Sequence, residues 1–339
     1  MLRVVGTDPG TGSLDLLLLV DGQVAGQSSL DPEALRARPD ALAKLLRQWR
    51  PIDLIAGPSG YGLPLVRGED LREADIDRMA LVRPDQRGQD AGVIGFRGWV
   101  REVLKSGWPS VFLPGGIHLG SIPDHRKANA IDLGTADKVA VAALACWADR
   151  HATPSPARSF AVVEIGSAFT AVLVVEGGKI VDAAAGSRGP IGMKSGGAWD
   201  GEAAYWLGPL TKADLFRGGV RDLGDIGPAA FRESLVKHVA GLRAVTPFDR
   251  IYLSGSAVAG LGAGNDLRRL VTTALTPFGE IRRLSGLPGA WVKSAAQGAA
   301  LLADGLAGGR HADLVEALDL RSASGTIGDS LRIRPTDPS

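Results

Sequence analysis

Two segments of the chain, one at its start and one near its middle, share a single pattern of apolar runs and glycine turns. Val5–Ala25 reads VGTDPGTGSLDLLLLVDGQVA, and Ala161–Val181 reads AVVEIGSAFTAVLVVEGGKIV. An offset of 156 residues aligns the two without a gap and places Asp8 on Glu164. Apolar runs of strand length bounded by Gly turns predict strand, turn, strand, turn, strand in each copy. The chain therefore reads as a duplication of one α/β unit.

The two halves continue in parallel after these segments. PIDLIAG at Pro51–Gly57 resembles PFDRIYLSG at Pro247–Gly255, now at an offset of 196 residues. Each follows a helix-like segment, Pro32–Trp49 in the first half and Pro228–Ala244 in the second. The larger offset implies that the second half has gained about 40 residues between the two matches, a number that follows from the two offsets. Two unrelated hairpins of similar appearance are the alternative, but the ungapped register and this second match favour duplication.

These matches divide the chain into an N-terminal domain over residues 1–154, a C-terminal domain over 155–320 and a polar tail over 321–339. The Pro- and Ser-rich run HATPSPARS at His151–Ser159 marks the boundary. The extra residues of the second domain form an insertion at about 187–228. Ala- and Gly-rich helices at Thr135–Arg150 and Ala290–Leu306 close the two halves.

Charge and cysteine content narrow the class of protein. The net charge is +1, which gives no reason to expect a nucleic-acid or membrane partner. Cys146 is the only cysteine, so an internal disulfide and a site of several thiolates are both excluded, and a buried core thiol is expected. The first residues lack a basic segment before an apolar one, and no apolar run is long enough to cross a bilayer. We expect a cytoplasmic protein.

The turn after the first predicted strand has the chemistry of a phosphate loop. Gly10 and Gly12 permit backbone angles that let amides converge, and Thr11 and Ser13 add hydroxyl donors. Asp8 beside them suits a Mg²⁺ held through water molecules, because Mg²⁺ keeps much of its hydration shell. A plain Asp-Pro-Gly turn is the alternative, although it does not account for the hydroxyls.

The second copy and a later strand end supply matching loops. Gly166 and Ser167 offer a second phosphate-binding turn, and Glu164 offers a second carboxylate for Mg²⁺. The run LSGSA contains Gly255 and Ser256, whose small side chains leave room for a flat ring and a ribose. Together the three loops predict a nucleotide site between the halves.

The three motifs, in this order, resemble those of the superfamily of acetate and sugar kinases, heat-shock ATPases and actin. Asp8–Ser13 is similar to its first phosphate motif, Glu164–Thr170 to its second, and Leu253–Ala257 to its adenosine motif. The resemblance implies two ribonuclease H-like, actin-like ATPase domains around a central cleft that binds ATP and Mg²⁺. The sequence departs from the common second motif, since Glu164 replaces an Asp.

Within that superfamily, the run HRKANAIDLGTADK at His125–Lys138 resembles a family of predicted butyrate kinases, still classed as a domain of unknown function. QGAALLADGLAGG at Gln297–Gly309 is similar to that family too. This resemblance implies a short carboxylic acid as the phosphoryl acceptor.

The same run contains the candidate catalytic residues. Asp137, at the start of a closing helix, is expected to position or deprotonate the acceptor or to hold Mg²⁺ through water. A helix-capping carboxylate is the structural alternative. An acyl kinase also needs cations for the carboxylate and the transferring phosphoryl group. Arg126 is the candidate for that role with its neighbour Lys127, and Lys138 joins Asp8 and Asp137 in the catalytic set.

Three functions remain open at this point. The leading one is an ATP-dependent kinase of a small molecule, first of all a short carboxylic acid. The second is an ATPase that regulates or reactivates a partner protein through the insertion. The third is a nucleotide-binding protein without kinase activity. The sequence leaves the oligomeric state open, with a homodimer among the options.

Overall fold

The fold is given by a computed structural model, which describes residues 1–10, 12–31, 33, 40–83, 96–151, 156–259 and 263–333. The strands among these residues are β1 (Arg3–Pro9), β2 (Leu14–Val20), β3 (Gln23–Leu30), β4 (Leu54–Pro58), β5 (Val66–Arg67), β6 (Ser110–Leu113), β7 (Ser159–Ile165), β8 (Thr170–Glu176), β9 (Lys179–Ala185), β10 (Arg250–Ser254) and β11 (Glu280–Arg283). The α-helices are α1 (Ala41–Gln48), α2 (Glu73–Ala80), α3 (Phe96–Lys105), α4 (Asp124–Lys127), α5 (Ala136–His151), α6 (Gly201–Leu207), α7 (Gly227–Val245), α8 (Ser256–Ala259), α9 (Ala263–Leu275), α10 (Ser294–Leu306) and α11 (Ala312–Ala317).

The strands form two mixed sheets, one in each half. The first has the order β3-β2-β1-β4-β6-β5 and the second the order β11-β10-β7-β8-β9. In each sheet an antiparallel three-stranded unit pairs in parallel with the strand that follows, β1 with β4 and β7 with β10. The carboxyl ends of β1, β7 and β10 consequently carry the loops that the sequence singled out.

The predicted duplication is confirmed at the level of single residues. β7 begins 156 residues after β1, at Ser159 and Arg3, and β10 begins 196 residues after β4. Both antiparallel units also contain a shift of strand register at the same place, between Leu18 and Leu19 in one and between Val174 and Val175 in the other. An irregularity of strand pairing at equivalent positions favours duplication of one unit over two unrelated hairpins.

The central core lies between the two sheets, and a separate core covers the outer face of each. Side chains alternate along β2, so Leu17 and Leu19 enter the central core while Leu16 and Leu18 enter the outer one. All four leucines are buried, as expected for a strand covered on both faces. Helices α1, α2 and α3 cover the first sheet, and α7 and α9 cover the second.

Helices α5 and α10 fill the space between the sheets at very close range. A Cβ built on Gly298 would lie 1.8 Å from the carbonyl oxygen of Ala140 on α5. A Cβ on Gly6 of β1 would lie 2.1 Å from the amide nitrogen of Ala300 on α10. Glycine is required at both positions because backbone occupies the place of the side chain. The closing helix of the second half thus packs directly on the first strand of the first half.

A buried polar cluster fastens α5 to the second sheet. Asp149 accepts hydrogen bonds from Arg250 Nη1 at 2.6 Å and from the Tyr252 hydroxyl at 2.7 Å, both from β10. Asp149 Oδ2 also accepts the amide of Ala157 at 2.8 Å. Because the carboxylate is satisfied on all sides, its burial is compensated, and α5 is held in fixed register against β10.

The insertion and the tail have more structure than their polar sequences indicate. The insertion contains 3₁₀ turns and α6, and its turn Lys212–Phe216 approaches the first half. Residues of the tail up to 333 are tied to the first half, since Ser324 N donates to His118 O and Asn129 N donates to Ser330 O, both at 2.9 Å. Within the described residues, none of the helices combines the length and apolarity that a bilayer-spanning segment requires.

Candidate active site

A cavity of about 910 Å³ opens between the two halves at the carboxyl ends of β1, β7 and β10. Its walls include both predicted phosphate loops, the predicted adenosine loop and the first turn of α5. The volume is near the upper end of ordinary small-molecule pockets, which suits a site that takes two ligands. Of the residues chosen from sequence, those lining the cavity are Asp8, Gly10, Ser13, Asp137, Lys138, Glu164, Gly166, Ser167, Gly255 and Ser256.

The first loop is closed by a backbone hydrogen bond between its two ends. The amide of Gly10 donates to Ser13 O at 3.0 Å. That amide serves the turn itself, so it does not converge on a ligand as the glycine pattern led us to expect. Gly12 is exposed, lies outside the cavity wall and would meet nothing within 4 Å if it carried a Cβ. Thr11 lies outside the described residues.

The second loop is closed in the same way as the first. The amide of Gly166 donates to Phe169 O at 2.9 Å, which repeats the Gly10-to-Ser13 bond at an offset of 156 residues. The two turns therefore share their backbone hydrogen-bond pattern as well as their sequence spacing. Both follow the first strand of a half, and both line the same cavity.

The third loop requires glycine at position 255, where it passes close to the end of β7. Gly255 has φ +112°, and a Cβ there would lie 2.1 Å from Ile165 O at the end of β7. Only glycine therefore fits between β10 and the second loop. Beside it, Ser254 Oγ donates to Ser294 Oγ at 3.1 Å, which joins the loop to the first residue of α10.

The first turn of α5 carries a charged cluster that spans the two halves. The amide of Ala136 donates to Gly60 O at 3.0 Å and fixes the start of the helix against the loop after β4. Lys138 Nζ lies 2.5 Å from Asp137 Oδ2 and 3.2 Å from Glu164 Oε2. The Thr135 hydroxyl donates to Asp137 Oδ1. Asp137 thus accepts a local side-chain hydrogen bond from Thr135, and it also faces the cavity.

The pKa values of Asp137 and Lys138 shift in opposite directions, and each shift favours the charged form of the residue. Burial disfavours the ionised form of Asp137, but Lys138 and the Thr135 hydroxyl outweigh burial and lower the pKa of its carboxyl. Burial likewise disfavours the ammonium of Lys138, yet Asp137 and Glu164 raise its pKa well above the ordinary value. At neutral pH, Asp137 is therefore an anion with little tendency to take a proton.

Asp8 is in a different electrostatic state from Asp137. It is 7% exposed. Burial, together with the nearby Asp137 carboxylate, raises the pKa of Asp8 to about 7, although Lys293 and Lys138 oppose the shift. A carboxyl whose charge is so poorly compensated fits a divalent cation, which would stabilise the ionised form.

The residues around Asp8 suit Mg²⁺ better than a metal ion whose ligands all come from the protein. Among the described residues, no three His, Cys, Asp or Glu side chains come together as a direct metal site. Mg²⁺ needs only one or two carboxylates, because water and phosphate oxygens complete its shell. Glu164 is less well suited than Asp8, since Lys138 already neutralises its carboxylate.

One cation of the first loop was missed in the sequence. Lys293, in the residue before α10, donates from Nζ to Ser13 Oγ at 2.6 Å and pairs with Asp15 Oδ2 at 3.2 Å. Its amine would lie 3.1 Å from a Cβ on Gly10. The second half thus places a positive charge in the phosphate loop of the first half. The sequence predicted Lys293 inside the closing helix, whereas the helix begins at Ser294 and leaves Lys293 in the cavity wall.

Arg126 does not reach the cavity. Its Nη1 donates to Val181 O at 2.7 Å, and its Nε lies 3.5 Å from Asp182 Oδ2. Helix α4 is a single short turn that points this guanidinium toward β9 rather than toward α5. Arg126 is therefore not among the residues to which we assign a function.

A second group of ionisable residues lines the cavity beyond Asp137. Burial raises the pKa of Asp132 to about 6, although the amide of Gly134 stabilises its charge through a bond to Oδ1. Gly186 touches the same carboxylate, since a Cβ there would lie 1.9 Å from Asp132 Oδ2. Lys212 extends toward this region from the insertion, with Nζ 4.2 Å from the ring centroid of Tyr61. Nothing in the local sequence of Lys212 indicated this placement.

Comparison with known proteins gives the fold independently. No curated protein matches the sequence. Among solved structures, the acetate kinase of Entamoeba histolytica is similar with a TM-score of 0.54 and 10% identity, over 80% of this chain and 86% of that one. A propionate kinase from Francisella tularensis subsp. tularensis SCHU S4 is similar with a TM-score of 0.56 and 14% identity, over 82% and 88% of the two chains.

At such low identity these similarities establish the architecture alone. The chain has the two-domain actin-like ATPase fold of the superfamily that its three motifs resemble, with a mixed sheet in each half and the cavity between them. Its sequence also matches a family pattern over residues 6–333, which is nearly its whole length. The chain belongs to the family described as "Protein of unknown function (DUF1464)".

Proposed function

We propose that the protein is an ATP-dependent kinase that phosphorylates a short carboxylic acid. The observation that supports this most strongly is the cluster of Asp137, Lys138 and Glu164, which joins the two halves inside the cavity. It lies among the two phosphate loops, where a triphosphate gripped from both sides would present its γ-phosphoryl group. Phosphoryl transfer relies mainly on positioning and on electrostatic stabilisation, and this cluster supplies fixed charges for both.

Asp8 and Mg²⁺ act together in this proposal. A bound Mg²⁺ would neutralise charge on the β- and γ-phosphates during transfer. Asp8 would hold it through water molecules, because Mg²⁺ keeps much of its hydration shell. Ser13 and Ser167, beside the turns closed at Gly10 and Gly166, would bind the phosphates, while Gly255 and Ser256 would border the adenosine.

The protonation state of Asp137 suits a carboxylate acceptor. A hydroxyl must lose its proton during transfer, so it needs a base, and the lowered pKa makes Asp137 a weak one. A carboxylic acid is already ionised at neutral pH. One of its oxygens would attack the γ-phosphorus in line, the bond to the bridging oxygen would break, and ADP would leave with the electron pair. Asp137 then positions Lys138 and Mg²⁺-bound water.

An acceptor screen tests this proposal. The protein is incubated with Mg-ATP and, separately, with acetate, propionate, butyrate, sugars and pantothenate-like compounds. Acyl phosphates are trapped with hydroxylamine as hydroxamates. We expect ADP and hydroxamate in equal amounts with at least one short acid. Absence of a phosphorylated product from every class would rule out the kinase proposal.

A second candidate function has one observation in its favour. Tyr205, Trp206 and Leu207 on α6 of the insertion are 83%, 86% and 62% exposed. Adjacent exposed aromatic side chains are typical of protein interaction sites. An ATPase that regulates a partner protein would use such a surface. Slow ATP hydrolysis without a small acceptor, together with loss of a co-purifying protein in a Trp206→Ser variant, would favour this function over the first.

A further inference from the structure

The insertion places the amine of Lys212 at the cavity, where no described residue forms a hydrogen bond with it. Lys212 is the first residue of a 3₁₀ turn that ends at Phe216. Its Nζ atom is shielded from solvent and forms no hydrogen bond or ion pair with any of the described residues. Two hydrogen bonds fix the conformation of this turn. Asp214 Oδ2 accepts one from the amide of Thr211 at 2.8 Å and one from its hydroxyl at 2.7 Å.

The surroundings of this amine compensate its charge only in part. The face of the Tyr61 ring lies 4.2 Å from Nζ, which provides a cation–π contact but accepts none of its three protons. Among the described residues, Asp132 is the charged group that acts on Lys212, and no ion pair within 4 Å joins the two. Burial lowers the pKa of Lys212 to about 8, and Asp132 opposes the shift. A buried cation with three unused donors is costly unless an anion binds to it.

Aromatic side chains share the cavity wall near the amine with the Asp132 carboxyl. Phe169, at the end of the second phosphate loop, meets Phe216 edge to face with ring centroids 4.8 Å apart. Both rings line the cavity, as do Tyr61, Met79 and Phe96 from the first half. An anionic head beside Lys212 with a small apolar body against these rings satisfies both features, whereas a sugar would leave its hydroxyls against carbon.

We propose that Lys212 binds the carboxylate of the acceptor and that the Phe169–Phe216 pair packs against its aliphatic part. This inference rests on the proposed function, which it deepens by naming the group that recognises the acceptor. Nζ is shielded from solvent where it lies over the Tyr61 ring, so the side chain must turn toward the cavity when the acid binds. One carboxylate oxygen then accepts from Lys212 Nζ, and the other remains the nucleophile. The insertion thus supplies the cation that the sequence led us to seek at Arg126.

Steady-state kinetics with matched variants test the role of Lys212. The set is wild type, Lys212→Met, Lys212→Arg and the control Lys237→Met, whose amine is exposed on α7. We expect Lys212→Met to raise the KM for butyrate by about tenfold or more and to leave the KM for ATP nearly unchanged, because a charge-assisted bond to the acid alone is lost. Lys212→Arg should recover part of the affinity, and Lys237→Met should behave as wild type. An unchanged KM for butyrate in Lys212→Met would overturn the proposal.

A binding measurement separates this inference from the kinase proposal itself. Binding of carboxyl-¹³C butyrate is followed by NMR in the presence of a non-hydrolysable ATP analogue and Mg²⁺. Line broadening by wild type but not by Lys212→Met supports the site even if no turnover is found. If Lys212→Met broadens the butyrate signal as wild type does, the role of Lys212 alone is overturned. If wild type phosphorylates only uncharged acceptors and leaves the butyrate signal sharp, both the carboxylic acid acceptor and the role of Lys212 are overturned.

A purely structural role for Lys212 predicts a different pattern. If its contact with Tyr61 merely holds the insertion against the first half, Lys212→Met should lower the melting temperature and affect both substrates alike. Melting curves of the same variants decide between the two. A lowered melting temperature with parallel changes in both KM values would overturn the recognition role.

Discussion

Lys138 Nζ, in the first turn of α5, lies 3.2 Å from Glu164 Oε2 at the end of β7. This ion pair connects the closing helix of the first half with the first strand of the second. Both side chains are largely buried, at 15% and 12% exposed, so solvent screens the pair only weakly. The Glu at this position, where the resemblance implies an Asp, therefore has a partner in Lys138.

The first prediction concerns Asp137. In the Asp137→Asn variant the side chain keeps its shape and can still accept the Thr135 hydroxyl, but its charge is lost. We expect kcat to fall by about 100-fold or more, with ATP affinity nearly unchanged, because the carboxylate acts only where phosphoryl transfer occurs. Single-turnover kinetics and ATP calorimetry measure the two effects. The exposed Asp124→Asn on α4 is the control, and parallel loss of turnover and ATP binding would contradict the role given to Asp137.

The second prediction concerns Lys293, which binds Ser13 and Asp15 in the first phosphate loop. Replacement by Met removes a cation beside the expected phosphates, so we expect ATP affinity to fall by about tenfold. Saturating ATP should then raise the melting temperature less than it does in wild type. The matched control is Lys44→Met on α1, where the exposed lysine pairs with Asp40. Equal ATP affinity in Lys293→Met and wild type would refute this prediction.

The third prediction concerns the contact between the closing helices. A methyl group on Gly298 would overlap the carbonyl of Ala140, so the two helices must separate. We expect Gly298→Ala to lower the free energy of unfolding by about 1–3 kcal/mol or more. Gly241→Ala on α7, where a Cβ would meet nothing within 4 Å, should instead raise it by up to about 1 kcal/mol through helix propensity. Urea unfolding midpoints compare the two, and a Gly298→Ala variant as stable as wild type would show that the helices do not pack this closely.

The fourth prediction is a pH dependence from Lys212. Its pKa of about 8 is lower than usual because of burial, and the charged group acting on it is Asp132, which opposes the shift. A carboxylate binds the protonated amine, so affinity for butyrate is full below pH 8 and falls by up to about tenfold per pH unit above it. The dependence should be absent in Lys212→Met. A wild-type butyrate affinity that stays constant from pH 7 to pH 9.5 would argue against protonated Lys212 as the ligand.

The duplicated strands could be predicted because their signals are local. Apolar runs, Gly turns and the spacing between them are all contained in about 20 residues, and the structure reproduces the offsets of 156 and 196 at the first residues of β7 and β10. The start of α5 was predicted to within one residue from its Ala-rich run. Helix α10 begins later than predicted, at Ser294, and the residues before it instead form the cavity wall that carries Lys293.

The cations of the site could not be predicted because their partners are distant in sequence. Lys293 and Ser13 are separated by 280 positions, and the approach of Lys212 to Tyr61 depends on how the insertion folds back. Arg126 is the converse case, a residue that is near the site in sequence but not in space. It is close to Asp137 in sequence, but the short turn of α4 directs it to Val181 on β9. Closeness along the chain is a poor guide where loops decide the direction of a side chain.

Mg-ATP binding tests the central claim that the paired loops form one nucleotide site. Calorimetric titration of Mg-ATP into wild type, Asp8→Asn and the control Asp124→Asn is the measurement. We predict one nucleotide per chain for wild type, an affinity that falls when Mg²⁺ is removed, and a loss of about tenfold or more in Asp8→Asn with little remaining dependence on Mg²⁺. The control should match wild type. Absence of ATP binding by wild type, or equal Mg²⁺-dependent affinity in wild type and Asp8→Asn, would contradict the account.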